Sequence, residues 1–251
     1  MANYNVHFSP TGGTKKVADI LAKELGSNWQ EIDLCRDVVP VRMTAEDVCL
    51  VSVPSYGGRV PNVAINRLKD ISGNGAKAVL VCVYGNRDWD DTLTELQDVL
   101  EAQSFICVAA AAAVAEHSIF RQFATGRPDT ADVAELTVFA AKIKAKLNGG
   151  VFAALNIAGS HGTYKEYGGV PFKPEGNENC GGCGICAERC PAGAIDPKSP
   201  RETDKDKCIS CMRCVQLCPS HARDLDAVFM AQMGEKMAPK LSGHKENHLF
   251  L

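Results

Sequence analysis

The sequence predicts an α/β protein: a doubly wound parallel sheet over residues 1–148, then a small α+β cysteine-rich unit and a C-terminal helix. Three observations predict it. Short apolar runs alternate with helix-period segments over residues 3–147. Eight of the twelve cysteines crowd into residues 180–218, and a glycine-, tyrosine- and proline-rich stretch separates the two regions. Alternating strand and helix implies parallel strands joined by right-handed crossovers, with helices on both faces of one sheet.

The strand-like runs are 4–8, 29–34, 48–53, 76–83 and 104–112, although the alanines of the last also favour helix. Val17, Ile20, Leu21 and Leu25 form one helical face, and Leu93, Leu96 and Leu100 a second. Val133, Leu136, Ala140, Ile143 and Leu147 form a third, which Asn148-Gly149-Gly150 stops. The division that follows is a sheet domain at 1–148, a connecting segment at 149–175, the cysteine unit at 176–222, and a helix and tail at 223–251. Leu225, Val228, Phe229, Met233 and Met237 mark the last helix, ending near Pro239, and the apolar Leu249-Phe250-Leu251 is expected to pack back onto the protein.

Composition narrows the function. Of 251 residues, 45% are apolar and 23% charged, ordinary globular usage with a sizeable core. A net charge of −3 argues against a nucleic-acid binder held by a basic surface. No apolar run reaches the roughly 18 residues that span a bilayer, and the first ten residues carry no signal-peptide pattern. The expectation is a cytoplasmic protein without membrane insertion, in which clustered cysteines suggest metal rather than disulfides.

The cysteines repeat. Cys180-x2-Cys183-x2-Cys186-x3-Cys190-Pro191 recurs 28 residues on as Cys208-x2-Cys211-x2-Cys214-x3-Cys218-Pro219. This spacing puts three thiolates on a tight loop, with the fourth pointing away. Zinc usually takes two separated pairs, so iron–sulfur clusters fit better. Gly182 and Gly184 suit a backbone wrapped close to a cluster.

Three loops of the sheet domain suggest a second cofactor. Ser9, Thr11, Gly12, Gly13 and Thr14 lie between the first strand and the first helix, where backbone N–H groups and hydroxyls converge on an anion. A hydroxyl-rich turn that merely caps the helix is the plainer alternative. Neither a nucleotide-triphosphate loop nor a dinucleotide fingerprint is present. Ser55, Tyr56, Gly57, Gly58 and Arg59 follow the third strand; Gly85, Asn86, Arg87, Asp88 and Trp89 follow the fourth. Ligands of open parallel sheets bind outside such strand ends, and a phosphate nest with aromatic faces at Tyr56 and Trp89 suits a phosphorylated flavin.

Over about forty residues the cysteine region resembles the bacterial two-[4Fe-4S] ferredoxins. The resemblance implies crossed ligation: Cys180, Cys183, Cys186 and Cys218 on one cluster, Cys208, Cys211, Cys214 and Cys190 on the other. Ser220-His221 departs from Ala192-Gly193 of the first copy without loss of a ligand. Residues 1–148 resemble a flavodoxin-type domain. Ser-x-Thr-Gly-x-Thr at 9–14 matches that family's FMN phosphate loop, and Pro54-Ser55-Tyr56-Gly57-Gly58 its second flavin loop. The whole chain resembles flavodoxin–ferredoxin fusions of the EFR1-type ferredoxin family, on Tyr84-Gly85-Asn86-Arg87 with Asp90-Asp91, and on Glu116-His117-Ser118 with Gly126-Arg127-Pro128.

The resemblance implies FMN and two [4Fe-4S] clusters, and an electron carrier working between redox partner proteins. A flavin-dependent oxidoreductase acting on a small substrate is the rival reading, and a redox sensor the third. The absence of an acid–base pair in a committed pocket favours the carrier, and a homodimer is compatible with the sequence. Cys35, Cys49, Cys82 and Cys107 sit in apolar runs as inert core thiols. His117 is either structural or near the flavin edge, and His161, Tyr164 and Tyr167 belong to a connecting loop.

Overall fold

The apolar runs within residues 4–8, 48–53, 76–83 and 104–112 become one sheet because helices cover both faces, while residues 29–33 form its half-exposed edge. A computed structural model describes residues 1–251. In chain order the first elements are β1 (Asn3–His7), α1 (Gly13–Leu25), β2 (Trp29–Asp33), β3 (Val41–Arg42), β4 (Val48–Pro54), α2 (Asn62–Leu68) and β5 (Ile71–Ser72). Next come β6 (Lys77–Tyr84), α3 (Thr92–Ala102), β7 (Ile106–Val114) and α4 (Thr130–Gly149). The rest are β8 (Glu175–Gly176), α5 (Ile185–Glu188), α6 (Arg213–Leu217), β9 (Arg223–Asp224), α7 (Ala227–Leu241) and β10 (His248–Phe250).

The main sheet runs β10-β7-β6-β4-β1-β2. Its five long strands are parallel and β10 is antiparallel to β7. Leaving out the two-residue strands, the parallel order is second, first, third, fourth, fifth, the flavodoxin-like order. The order reverses between β1 and β4. The crevice at the carboxyl ends of those two strands is where such sheets bind ligands.

One core packs Leu93, Leu96 and Leu100 of α3 and Ala64 and Leu68 of α2 on one face of the sheet. The other packs Val17, Ala18 and Leu21 of α1 with Leu136, Ala140 and Ile143 of α4. In β7, Ala110 and Ala112 face the first core while Ala109, Ala111 and Ala113 face the second. Two-sided burial overrides the helix preference of alanine, and the small side chains let helices close in from both sides. Asp129 caps α4 by accepting the Ala131 and Asp132 N–H groups, and Gly150 ends it in the left-handed region at φ +70°.

The sequence pattern missed α2 and the pair β3–β5, which are too short to show a period. Within the 223–251 segment, residues 248–250 pack back onto the sheet domain, pairing with Ala110–Ala112 of β7 as a sixth strand of the main sheet. The last helix runs to Leu241, with Pro239 inside its final turn.

The cysteine unit holds α5, α6 and the small β8–β9 sheet. Gly182 and Gly184 take φ of +73°, and their repeat counterparts Ser210 and Met212 take +56° and +61°. Left-handed backbone just ahead of α5 and α6 is therefore what the two glycines serve.

Candidate functional site

A cleft of about 190 Å³ opens at the carboxyl ends of β1, β4, β6 and β7. Thr11, Gly13 and Thr14 of the first loop line it, with Ser55, Tyr56 and Gly57 of the second and Gly85, Arg87 and Asp88 of the third. Glu116 and His117 after β7 close one side. Phe120, Phe172, Met237 and Leu241 form an apolar wall opposite the loops.

The first loop is a donor nest. Ser9 Oγ accepts the Lys15 N–H at 2.8 Å, and Gly12 O accepts the Lys16 N–H at 2.9 Å. The N–H groups of Thr11, Gly13 and Thr14 meet no protein acceptor. They sit at the start of α1, where the helix dipole favours an anion. The two lysines that open α1 turn elsewhere, Lys15 to Asp19 at 2.6 Å and Lys16 to Pro128 O at 2.8 Å. A phosphate fits here on neutral donors. Tyr56 supplies an aromatic face; burial pushes its phenol well above the ordinary value, with the Cys211 and Cys35 thiols adding to the effect.

Six residues predicted for the flavin do not line the cleft. Ser9 caps α1 from beneath the loop, and Gly12 (φ +88°) is its left-handed lead-in. A Cβ at Gly58 would collide with Asp90. Arg59 turns away to buried Glu95, with Nε 2.9 Å from Oε2, and its guanidinium lies 4.8 Å from the centre of the Tyr164 ring. Trp89 packs between Tyr84 and His248, ring centres 5.2 and 4.9 Å away, so only Tyr56 of the two aromatics reaches the cleft. Asn86 Nδ2 donates to Leu241 O at 2.6 Å and Gly243 O at 2.8 Å. Its partners lie more than 150 residues away, which no local pattern reveals.

His117 belongs to the site, as one of its two sequence readings allowed. Its Nδ1 accepts the N–H groups of Ile119 and Phe120 at 3.1 and 3.2 Å. The proton of the neutral ring is thereby fixed on Nε2. Burial pushes its pKa down to about 4, and Arg87 adds to the shift. The ring is thus an uncharged donor in the cleft at neutral pH. The connector residues are structural: His161 Nδ1 lies 2.5 Å from Asp98 Oδ1, Tyr164 donates to the same carboxylate, and Tyr167 lies against Gly57. Cys35, Cys49, Cys82 and Cys107 are buried, and burial raises all four thiols, Cys35 and Cys107 to about 12.

The eight motif cysteines gather in two sets. Cys180, Cys183, Cys186 and Cys218 surround one cavity. Cys190, Cys208, Cys211 and Cys214 surround the other. Each set joins three cysteines of one copy to the fourth of the other. The Ala194 N–H lies 3.3 Å from Cys190 Sγ, and the Ala222 N–H 3.2 Å from Cys218 Sγ. Burial opposes ionisation of Cys218, but the Ser220 hydroxyl and the N–H groups of Ala222 and Arg223 bring its thiol below the ordinary value. An all-thiol donor set with N–H groups aimed at sulfur suits an iron–sulfur cluster.

The cysteine unit touches the cleft directly. Ile209 lines both the cleft and the cavity of Cys190, Cys208, Cys211 and Cys214. Arg213 lines that cavity and donates from Nη1 to Pro10 O of the first loop at 3.2 Å.

Residues 179–223 match the family model described as a 4Fe-4S dicluster domain. The chain joins a flavodoxin-like sheet to a ferredoxin-type segment. A stretch of 47 residues is 45% identical to a protein of Methanosarcina acetivorans, a component of an ion-translocating oxidoreductase complex. That match spans 18% of this chain and 18% of the relative, under a fifth of each. Among solved structures, the Streptococcus pneumonia TIGR4 flavodoxin aligns over 58% of this chain and 99% of its own, with 21% identity and a TM-score of 0.42. Flavodoxin 1 from Bacillus cereus aligns over 57% of this chain and 97% of its own, with 15% identity and a TM-score of 0.42. The 4Fe-4S match marks the C-terminal segment as an iron–sulfur, redox-type unit. No helix is long and apolar enough to cross a membrane.

Proposed function

We propose that this protein is a cytoplasmic electron carrier that holds FMN in the cleft and a [4Fe-4S] cluster in each cysteine set, and exchanges electrons with redox partner proteins. The observation that carries the reading is Ile209, one side chain forming a wall of both the cleft and a cluster cavity. When bound, a flavin supplies one- or two-electron chemistry and each cubane one-electron steps.

The chain's own residues hold and shield these groups. Thr11, Gly13 and Thr14 offer N–H donors to the phosphate, and Tyr56 and His117 face the ring site. Phe120, Phe172, Met237 and Leu241 give the cleft an apolar wall suited to a flat ring rather than a small polar substrate. Arg213 ties the cysteine unit to the first loop, keeping the two sites in register. Of the eight motif cysteines only Cys183 is exposed, so the set containing it is the one that meets a partner.

Anaerobic stopped-flow tests the reading. Reduced holoprotein should pass electrons rapidly to a redox protein such as a cytochrome, more slowly at high salt, and poorly to small quinones or nitro compounds. Fast, salt-insensitive turnover with NAD(P)H or a small organic acceptor alone would replace the carrier with a flavin-dependent oxidoreductase.

A further inference from the structure

The 28-residue repeat breaks at one buried position. The backbone keeps the repeat: left-handed Gly182, Gly184 and Gly193 recur as Ser210, Met212 and His221. Ala194 and Ala222 donate in the same way to the fourth cysteine of each copy. The residue after each alanine is Ile195 in the first copy and Arg223 in the second. Ile195 is a buried hydrophobe at 6% exposure, lining the cavity of Cys190, Cys208, Cys211 and Cys214. Arg223, at 2% exposure, lines the cavity of Cys180, Cys183, Cys186 and Cys218.

A buried cation is costly unless an anion balances it. No carboxylate pairs with Arg223. Its Nη2 donates to Pro174 O at 2.8 Å and to Thr203 Oγ1, and its Nη1 to Pro200 O and, at 3.4 Å, to Arg201 O, all of them neutral acceptors. Its buried Nε has no partner at all. The anions within its reach are thiolates from both sets. Cys186 of one set and Cys214 of the other are the sulfurs beside it.

We infer that Arg223 is a counter-cation set between the two cluster sites, where it stabilises the reduced state of both clusters and raises their reduction potentials. The inference rests on the proposed reading that the eight cysteines hold two clusters. Each one-electron reduction adds one negative charge to a cluster and removes one electron from its donor. Arginine keeps its proton throughout, so the positive charge is constant across the reaction. In a water-poor pocket such a charge acts far more strongly than it would in solvent.

The test compares Arg223→Gln and Arg223→Lys in the full chain, loaded anaerobically, by iron and sulfide content and EPR-monitored redox titration. With both clusters retained, Arg223→Gln should lower the reduced-to-oxidised ratio at least ten-fold at the wild-type midpoint, a fall of about 59 mV for one electron. Arg223→Lys, which keeps the charge, should stay within three-fold. Wild-type midpoints in Arg223→Gln, or an equal fall in both variants, would overturn the counter-cation role. Should Arg223→Gln fail to assemble its clusters, wild-type protein carrying guanidino-15N arginine decides. Electron spin echo of the reduced clusters should then show a 15N coupling that Arg223→Lys lacks, and no such coupling overturns the inference. Failure of the underlying reading looks different: the wild-type protein itself would contain no labile sulfide.

Discussion

His117 shows how a single residue in the cleft is fixed by its backbone. Two N–H groups occupy its Nδ1, and burial holds its pKa at about 4 against an ordinary 6.5. A histidine whose folded pKa is depressed contributes stability above its unfolded value and loses it as pH falls toward the folded one. Wild-type protein should therefore lose about 3 kcal/mol of unfolding free energy between about pH 6.5 and 4 from this group. His117→Asn, which cannot titrate, should show a shallower slope in denaturant melts across that window; an unchanged slope would refute the assignment. The first loop has its own test. Thr11→Val removes a hydroxyl donor and Gly12→Val forces a branched residue to φ +88°, so both should weaken FMN binding while iron content stays intact. Equal FMN affinity in both variants, by fluorescence titration, would move the flavin elsewhere. The cleft lining of Thr11, Tyr56 and Arg87 was legible in the sequence because these residues directly follow strands that end at one sheet edge. Trp89, Asn86 and Arg59 follow the same strands, but His248, Leu241 and Glu95 draw them aside. Strand ends therefore predict which loops form a site, not which way each side chain turns.

The tail is the element whose role is least visible in the chain. Its apolar end suggested docking, yet the pairing with β7 depends on contacts far apart in sequence. Asn247 is the pin: its Oδ1 accepts the Val114 N–H at 2.8 Å, and its Nδ2 donates to Asp132 at 2.9 Å and Glu135 at 2.7 Å. Tyr84 Oη donates to Glu246 O at 2.7 Å and Arg127 Nη1 to Lys245 O at 2.6 Å, so two residues that marked the family resemblance clamp the tail. Asn247→Ala leaves a buried N–H and two carboxylates short of a partner, and should cost about 2–3 kcal/mol by chemical denaturation. A cost below about 0.5 kcal/mol would mean the tail is not held there. Burial opposes ionisation of Asp132, but Arg127, the Asp129 N–H and Asn247 hold its pKa at about 2. Its share of tail stability is thus present above about pH 4 and lost toward pH 2. The alanine-rich β7 teaches the opposite lesson from the tail. Its strand state was readable from the alternation of strand and helix, although local propensity pointed to helix.

At the scale of the molecule, the cleft and one cysteine cavity share a wall at Ile209. The crossed sets were legible through the resemblance to two-[4Fe-4S] ferredoxins that the repeated cysteine spacing carries. Cys190→Ala should therefore damage the cluster of Cys208, Cys211 and Cys214 and spare that of its sequence neighbours, as EPR can tell. The contact between cleft and cysteine unit was not legible, since it depends on Ile209 and Arg213, which no motif marks. Charge also acts at this scale. If the proposed clusters and FMN phosphate add about −2 each to the chain's −3, a redox partner should offer a basic face and association should slow with salt.

The decisive measurement is the cofactor content of anaerobically purified protein. Two clusters and a flavin require about eight irons and eight labile sulfides per chain, together with one FMN released on denaturation. Stoichiometric zinc without labile sulfide, or full clusters without any flavin, would contradict the proposed reading.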